Sequence, residues 1–463
     1  MLFRGKDDMK TTGTIALCST LLCTLLGGCS SQTPVSSYQK NQSLSSSEEV
    51  TLTLTGTTAS FRAMDTVISS FNSLYPNCHI NYEYVQDYDK SMMTRLTNNE
   101  DVDLFITNNI TSDSQYLPYA MDLSKQSDAL KLTDTYEGLI RNFTISGENG
   151  GLYAIPLGGE VRGIYVNTTL LDSLNLKVPS NYAELLSCCA ALKAKGYIPL
   201  QGNPGNFGVM LMYPYTANLI ANADDYEKVY TQINTHQAGS SALLKEPVSR
   251  LYELVSNGYY DYKTVETNLN LFKDGTDTTL AMNFLNIVTT DQETKKIDDI
   301  GQVAFVPGTM SLETTLDKTK DNYHSAINYQ FILSPVGDDG GYAYLSPAAG
   351  IAINKNSKNT AWALEFLNYL FSKEVNKTFA SQQHIISNTT DALDVIKKSF
   401  AVDDHHISQL GQVTFDYVFY DVVKKTCTDV SKANNPKYMQ ADGTMYPLQY
   451  YMDAFETALV KKD

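Results

Sequence analysis

The chain of 463 residues is poor in several things that would assign a chemistry. It has one tryptophan, Trp362, and six histidines. The best metal-like grouping is Asp403-Asp404-His405-His406, and adjacent residues in a polar loop point apart, so no metal site is expected. No Cys-x-x-Cys spacing occurs, which removes zinc-ribbon and thioredoxin-like readings. Beyond the first 28 residues the cysteines are Cys29, Cys78, Cys188, Cys189 and Cys427, open to either free thiols or one disulfide. Basic residues are scarce, 35 against 51 acidic, for a net charge of −16. Such a chain repels nucleic-acid phosphate, and no nucleic-acid partner is expected. After residue 28 no apolar run reaches the length of a membrane span. The phosphate-loop, zinc-protease and serine-hydrolase motifs are missing. Among 51 acids two could stand at the separation glycoside hydrolysis needs, but sequence does not measure it. No catalytic residue and no cofactor are assigned.

What is present begins at the N-terminus. Arg4, Lys6 and Lys10 precede an uncharged stretch, Thr11 to Gly28, with leucines at 17, 21, 22, 25 and 26. It ends in Leu26-Gly27-Gly28-Cys29, which resembles the lipobox of bacterial lipoproteins. Residues 1–28 therefore read as a lipoprotein signal peptide, with Cys29 as the lipid-attachment residue and the extracytoplasmic face of the cell membrane as the location. The alternative is an uncleaved membrane helix, for which the run is short. Met9 is a second candidate start. Residues 29–49 hold eight serines and little to bury, and a flexible tether is expected there.

The folded part is expected to start at Val50. Val50, Leu52 and Leu54 alternate with threonines as a strand does, and Met64, Val67, Ile68 and Phe71 follow helical spacing. Strands at Ile80–Tyr84 and Val102–Ile106 enclose a helix at about 90–96. The alternation predicts a mostly parallel α/β sheet. Further strands are expected at Gly163–Asn167, Gly196–Leu200, Leu280–Phe284 and Ala349–Ile353. A helix with a capping-box start at Asn181 and Glu184 runs to about Lys195. Helices are also expected at 241–256, at 360–371 with Trp362 packed on one side, and through most of 391–463. Thirty-one tyrosines supply flat apolar faces with a polar tip, and most must serve packing.

The order of these pieces resembles the bacterial extracellular solute-binding proteins of the maltose-binding-like group, the receptors of ABC importers. The strongest piece is Tyr153-Ala154-Ile155-Pro156-Leu157-Gly158-Gly159-Glu160-Val161-Arg162-Gly163-Ile164-Tyr165-Val166-Asn167. Asp101-Val102-Asp103-Leu104-Phe105 precedes it, and Val178-Pro179-Ser180-Asn181 follows. Ala349–Ile353 and Ala361–Leu367 resemble the family's closing strand and helix. The resemblance implies an α/β, two-lobed periplasmic-binding-protein-like fold with three hinge crossings, near 156–160, 279–285 and 345–351. Lobe one would hold 50–157 plus 279–345, and lobe two 158–278 plus 346–463. It implies a monomer that binds a carbohydrate in the interlobe cleft and delivers it to ABC transporter permease subunits. A peptide or polyol ligand, a sensor role and a glycan-degrading enzyme are the alternatives.

Ligands of open α/β sheets sit at the carboxyl ends of strands. Sugars need planar polar groups for their hydroxyls and aromatic faces for their C–H sides. Thr57, Asn108, Asn109, Glu160, Arg162, Asn283 and Asn286 are the polar candidates. Phe207, Tyr213, Tyr215, Phe284 and Tyr344 are the aromatic ones. Each has a structural reading beside the functional one. The structural readings are a hinge cap for Glu160, a pairing with Glu160 for Arg162, a closed turn for Asn108 and Asn109, and core packing for Phe207 and Tyr215. The family's tryptophan after the strand near Met282 is replaced here by Asn286-Ile287-Val288.

Overall fold

The computed structural model describes residues 38–44, 47–56, 61–85, 87–108, 110, 114–141, 143–145, 150–270, 277–289, 294–409 and 417–460. Thr57, Asn109 and Cys29 lie outside them, as does the expected signal peptide.

Two sheets dominate. The first has five strands in the order Cys78–Tyr84, Val50–Gly56, Leu104–Thr107, Gly350–Ile353, Ile155–Pro156. Its first three strands are parallel, with Leu52 opposite Ile80 and Leu54 opposite Leu104. The threonine–leucine alternation turns Leu52 and Leu54 into the core, both fully buried. Helix Phe61–Leu74 covers this face with Met64, Val67, Ile68 and Phe71. Helix Thr360–Leu370 adds Trp362 and Phe366, whose rings meet Tyr75 and Phe71 edge-on at 5.3 Å in each pair. Trp362 is thus packing, as its helical spacing suggests.

The second sheet has seven strands built around the long strand Gly158–Asn167. Strand Val303–Thr309 runs antiparallel to it, with Val306 opposite Tyr165, and parallel to Ile198–Leu200. Strands Tyr329–Ile332, Ala343–Pro347 and Ile386–Ser387 also pair with the long strand. Helix Pro204–Ala221 is apolar all round, with Phe207, Leu211, Met212, Tyr215 and Ile220 all buried. Such a helix belongs in an interior; it shows no stripe by which the sequence would reveal it.

Three expectations need correction. Leu280–Phe284 is not a strand but the end of helix Asp277–Phe284. A five-residue apolar run has no readable period, and here Ala281, Phe284 and Leu285 share the buried helical face. The assignment of 279–345 to the first lobe fails, because strands between 303 and 347 find their partners in the second sheet. Likewise Gly350–Ile353 pairs with Leu104–Thr107 in the first sheet, and Val375 and Phe379 enter the first core. The chain changes sheet at 156–158, at 347–350 and at 383–386, not near 279–285. The third correction concerns the tether. Residues 38–44 lie against the first sheet's helices, with Tyr38 and Leu44 packed on its core.

The three changes of sheet are bound to each other. Leu157 N–H donates to Ala349 O at 2.9 Å, and Ala348 N–H to Gly158 O at 2.8 Å. Asn376, on helix Lys373–Gln383, donates from Nδ2 to Leu157 O at 3.0 Å and accepts from Asn388 N–H at 2.7 Å. Asn388 donates to Pro156 O at 2.8 Å and accepts from Tyr136 N–H at 3.1 Å. Both asparagines are fully buried. The crossing strands approach so closely that a Cβ at Gly158 would lie 2.6 Å from Ile386 O, which is why glycine stands there.

All four buried cysteines, Cys78, Cys188, Cys189 and Cys427, are free thiols. Burial raises each thiol above its usual range, which keeps them protonated and unreactive. The Asn376→Ala variant should lose about 2–4 kcal/mol of unfolding free energy, because Leu157 O and Asn388 N–H become buried and unpaired. Denaturant titration followed by circular dichroism measures it; an unchanged midpoint would show that the network carries no stability.

Candidate functional site

The parallel strands of the first sheet end at Gly56 and Thr107, and Thr107 lies opposite Gly350, where the chain enters from the second sheet. In the second sheet Val303–Thr309 ends near the start of the long strand, where Thr309 faces Arg162, whereas Ile198–Leu200 stops level with Phe305 and Val166. The carboxyl ends of the first sheet and of Val303–Thr309 therefore lie toward the crossings, the place where open α/β sheets take their ligands.

Glu160 and Arg162 are two residues apart on the long strand and project from one face. Glu160 lies opposite Ser346 and near Ser311. Tyr165 fixes the chain that presents Ser311, its hydroxyl donating to Met310 O at 2.7 Å. Glu160 as a whole residue is half-buried, but its Oε2 is enclosed and has no hydrogen-bond partner among the described residues. Burial pushes this carboxyl up to about 7, against the pull of the Ser311 hydroxyl and amide and the Arg162 guanidinium; Asp277 adds a small push upward.

Arg162 does not pair with Glu160 in a salt bridge. Its guanidinium sits among three tyrosine rings, 5.0 Å from the centre of Tyr213, 5.3 Å from Tyr344 and 6.0 Å from Tyr420. Cation–π attraction holds it. Its Nη1 is buried and has no hydrogen-bond partner. A third unpartnered group is Gln201, which follows the strand Ile198–Leu200. It is 1% exposed, and neither Oε1 nor Nε2 has a partner. Buried polar atoms are nearly always paired, so the unpartnered ends of Glu160 and Arg162, two residues apart on one strand, are the candidate site; Gln201 follows Leu200, which is level with Phe305 and Val166, and is a separate unpaired group two strands across.

The chain matches the family model for bacterial extracellular solute-binding proteins over residues 55–377. The chain belongs to this family. It is 27% identical over 203 residues to the multiple sugar-binding protein of Streptococcus mutans, an alignment spanning 42% of this chain and 46% of that one. The match thus spans about half the length of that curated relative. The fold is similar to that of apo RafE from Streptococcus pneumoniae, with a TM-score of 0.60 at 15% identity, over 91% of this chain and 99% of that one. It is also similar to a sugar transporter protein of Bacillus licheniformis solved in complex with stachyose, with a TM-score of 0.55 at 16% identity, over 88% and 98%. Both show the two-lobed fold of periplasmic solute-binding proteins.

The structure of this solute-binding protein distributes the other expected site residues unevenly. Asn108 is exposed, directly after the strand Leu104–Thr107. Asn283 is half-buried near the end of helix Asp277–Phe284, with its Nδ2 unpartnered. Asn286 adopts φ 55° after that helix, the left-handed conformation asparagine tolerates at a turn. The aromatic expectations are corrected. Phe207 is buried in a stack on Tyr260, 3.8 Å between ring centres. Tyr215 stacks on Tyr342 and donates its hydroxyl to Glu246 at 2.7 Å. Phe284 is fully buried against Tyr329. Tyr344 is buried beside Tyr213 and supports Arg162. The faces of these rings are covered by protein, so stacking on a sugar is not their role in this conformation.

Tyr213, an aromatic candidate from the sequence, holds Arg162, while Gln201, Ser311 and Tyr420 are not singled out by sequence reasoning. Gln201 had a signal, since it ends a strand and precedes Gly-Asn-Pro-Gly. The other two meet the long strand only through the tertiary fold. The Asp403–His406 stretch is a turn: Asp403 accepts from His405 N–H at 3.0 Å, and His406 stacks on Tyr342. No group of three metal-type side chains occurs among the described residues.

The raised Glu160 value has a direct consequence. The folded state holds a proton that the unfolded chain releases near 4.5, so stability falls as pH rises from about 4.5 to about 7, and the loss is complete above that. Glu160→Gln should therefore raise the melting temperature more at pH 8 than at pH 5. Equal shifts at the two pH values in thermal unfolding would show that Glu160 is not destabilised by its burial.

Proposed function

We propose that this chain is the carbohydrate-binding lipoprotein of an ABC importer. The observation that carries the reading is the pair of buried, unpartnered polar ends, Glu160 Oε2 and Arg162 Nη1, two residues apart on the long strand beside the crossings. An acceptor and a fixed donor on one strand suit the hydroxyls of a sugar, each of which both donates and accepts. The sugar-binding and sugar-complex relatives support the same ligand class.

In this reading Asn108 approaches the ligand from the first lobe, and Glu160, Arg162 and Asn283 from the second and the crossings; Thr57 and Asn109 remain candidates by sequence alone. A ligand that bridges both lobes binds the closed form better and shifts the population toward it. The closed form then docks on the permease. Cys29 carries the lipid that keeps the protein at the extracytoplasmic face of the membrane. None of the described helices is long and apolar enough to cross a membrane, so retention would rest on that lipid.

A thermal-shift screen of residues 30–463 tests the ligand class. Raffinose, stachyose, maltose and other oligosaccharides should include one that raises the melting temperature, since a ligand at 100 times its Kd stabilises by about 2.7 kcal/mol. A shift with a peptide or a polyol and with no saccharide would sink the carbohydrate reading. For the anchor, Cys29→Ser should release the protein into the medium and leave ligand affinity unchanged. Continued membrane retention of that variant would count against the lipid.

A further inference from the structure

Glu365 is out of place for its surroundings. It lies on helix Thr360–Leu370, on the side that buries Trp362, Phe366 and Tyr369, and it is 3% exposed. No lysine or arginine forms a salt bridge with it among the described residues. A carboxylate buried without a cation must be satisfied by hydrogen-bond donors, or its desolvation goes uncompensated. Tyr75 supplies one donor from within the fold. The others come from the N-terminal segment. Tyr38 donates its hydroxyl to Glu365 Oε1 at 2.9 Å, and Asn41 N–H lies 3.4 Å from the same oxygen.

The rest of the segment is held as closely. Asn41 N–H donates to the Tyr75 hydroxyl at 2.8 Å, so Tyr75 accepts from the segment while it donates to Glu365. The Tyr38 ring meets Tyr369 edge-on, 5.2 Å between centres. Lys40 donates to Leu74 O at 3.1 Å and stands 4.6 Å over the Tyr75 ring. Leu74 is the last residue of helix Phe61–Leu74, where exposed carbonyls and the helix dipole favour a cation. Asn41 turns the chain by accepting from Ser43 N–H at 3.0 Å and Ser43 Oγ at 2.7 Å. Each contact falls on an element of the first sheet's core, and none on the second.

We propose that residues 38–41 are a latch which docks in the groove between helices Phe61–Leu74 and Thr360–Leu370, so that the N-terminal arm leaves the protein from the first lobe at Tyr38. This rests on the lipid-anchor reading for its consequence at the membrane. From Cys29 to Val50 a fully extended chain would reach about 70 Å, but from Cys29 to Tyr38 it reaches about 30 Å. The latch thus shortens the leash by more than half. It makes the first lobe the membrane-proximal one, leaving the second lobe as the part that swings when the cleft closes.

Trypsin tests the latch on the chain beginning at Cys29 without its lipid. Cleavage after Lys40 requires the segment to leave its groove and extend. In the unmodified sequence this cut should be at least tenfold slower than in Tyr38→Ala, read by mass spectrometry of the released N-terminal peptide. Tyr38 lies outside the sheets, so Tyr38→Ala should keep the folded body, with the same circular dichroism spectrum at the temperature of digestion, and a faster cut then reports release of the segment and not global unfolding. Equally fast cleavage of the two would overturn the proposal. The result is read without lipid, so it stands or falls separately from the anchor, which the Cys29→Ser variant addresses.

Discussion

The fold depends on the way two buried asparagines join three separate passes of the chain. Asn376 and Asn388 between them bind the carbonyls of Pro156 and Leu157, each other, and the amide of Tyr136. Residues more than 200 positions apart are thereby locked at one point. Backbone that leaves one sheet before joining the next has no ladder partner of its own, and buried amides and carbonyls must find one. Asparagine carries both a donor and an acceptor, so one side chain can serve two passes at once. The glycine pair at 158–159 lets the passes come close enough for this to work.

That junction also explains where polarity is left unspent. Glu160 and Arg162 stand near the start of the long strand, just after its crossing, with their side chains outside the backbone ladder. Their environments act in opposite directions. The enclosure of Glu160 disfavours its charge, whereas the tyrosines around Arg162 favour a cation without using up its hydrogen-bond donors. Stability is thus given up at Glu160, in the way that binding sites commonly give it up. Tyr213 and Tyr344 contribute by holding the guanidinium, a different use of aromatic rings from stacking against a sugar.

The N-terminal segment shows the same logic on a smaller scale. Its composition is that of a disordered arm, yet Tyr38 and Lys40 are placed to complete a buried carboxylate and a helix end. Short segments of low hydrophobicity order only when the folded body offers them unpaired groups, and Glu365 is such a group.

By itself the sequence determined the elements whose periodicity is strong. The threonine–leucine strand at Val50, the helix ending before Tyr75, the capped helix after Asn181 and the helix around Trp362 are all where their patterns put them. It also carried the family, through the order of its pieces, and placed Glu160 and Arg162 together by their spacing on one strand. Strand partnership was beyond it, because a strand's pattern records which face is buried and not which strand lies alongside. For that reason 303–347 was assigned to the wrong sheet. The interior helix Pro204–Ala221 was invisible for a related reason, since a segment buried on every side has no periodicity. Whether Phe207, Tyr215, Phe284 and Tyr344 show their rings to a ligand or to the core was likewise decided only by tertiary packing, since an aromatic residue reads the same in either setting until its neighbours are known.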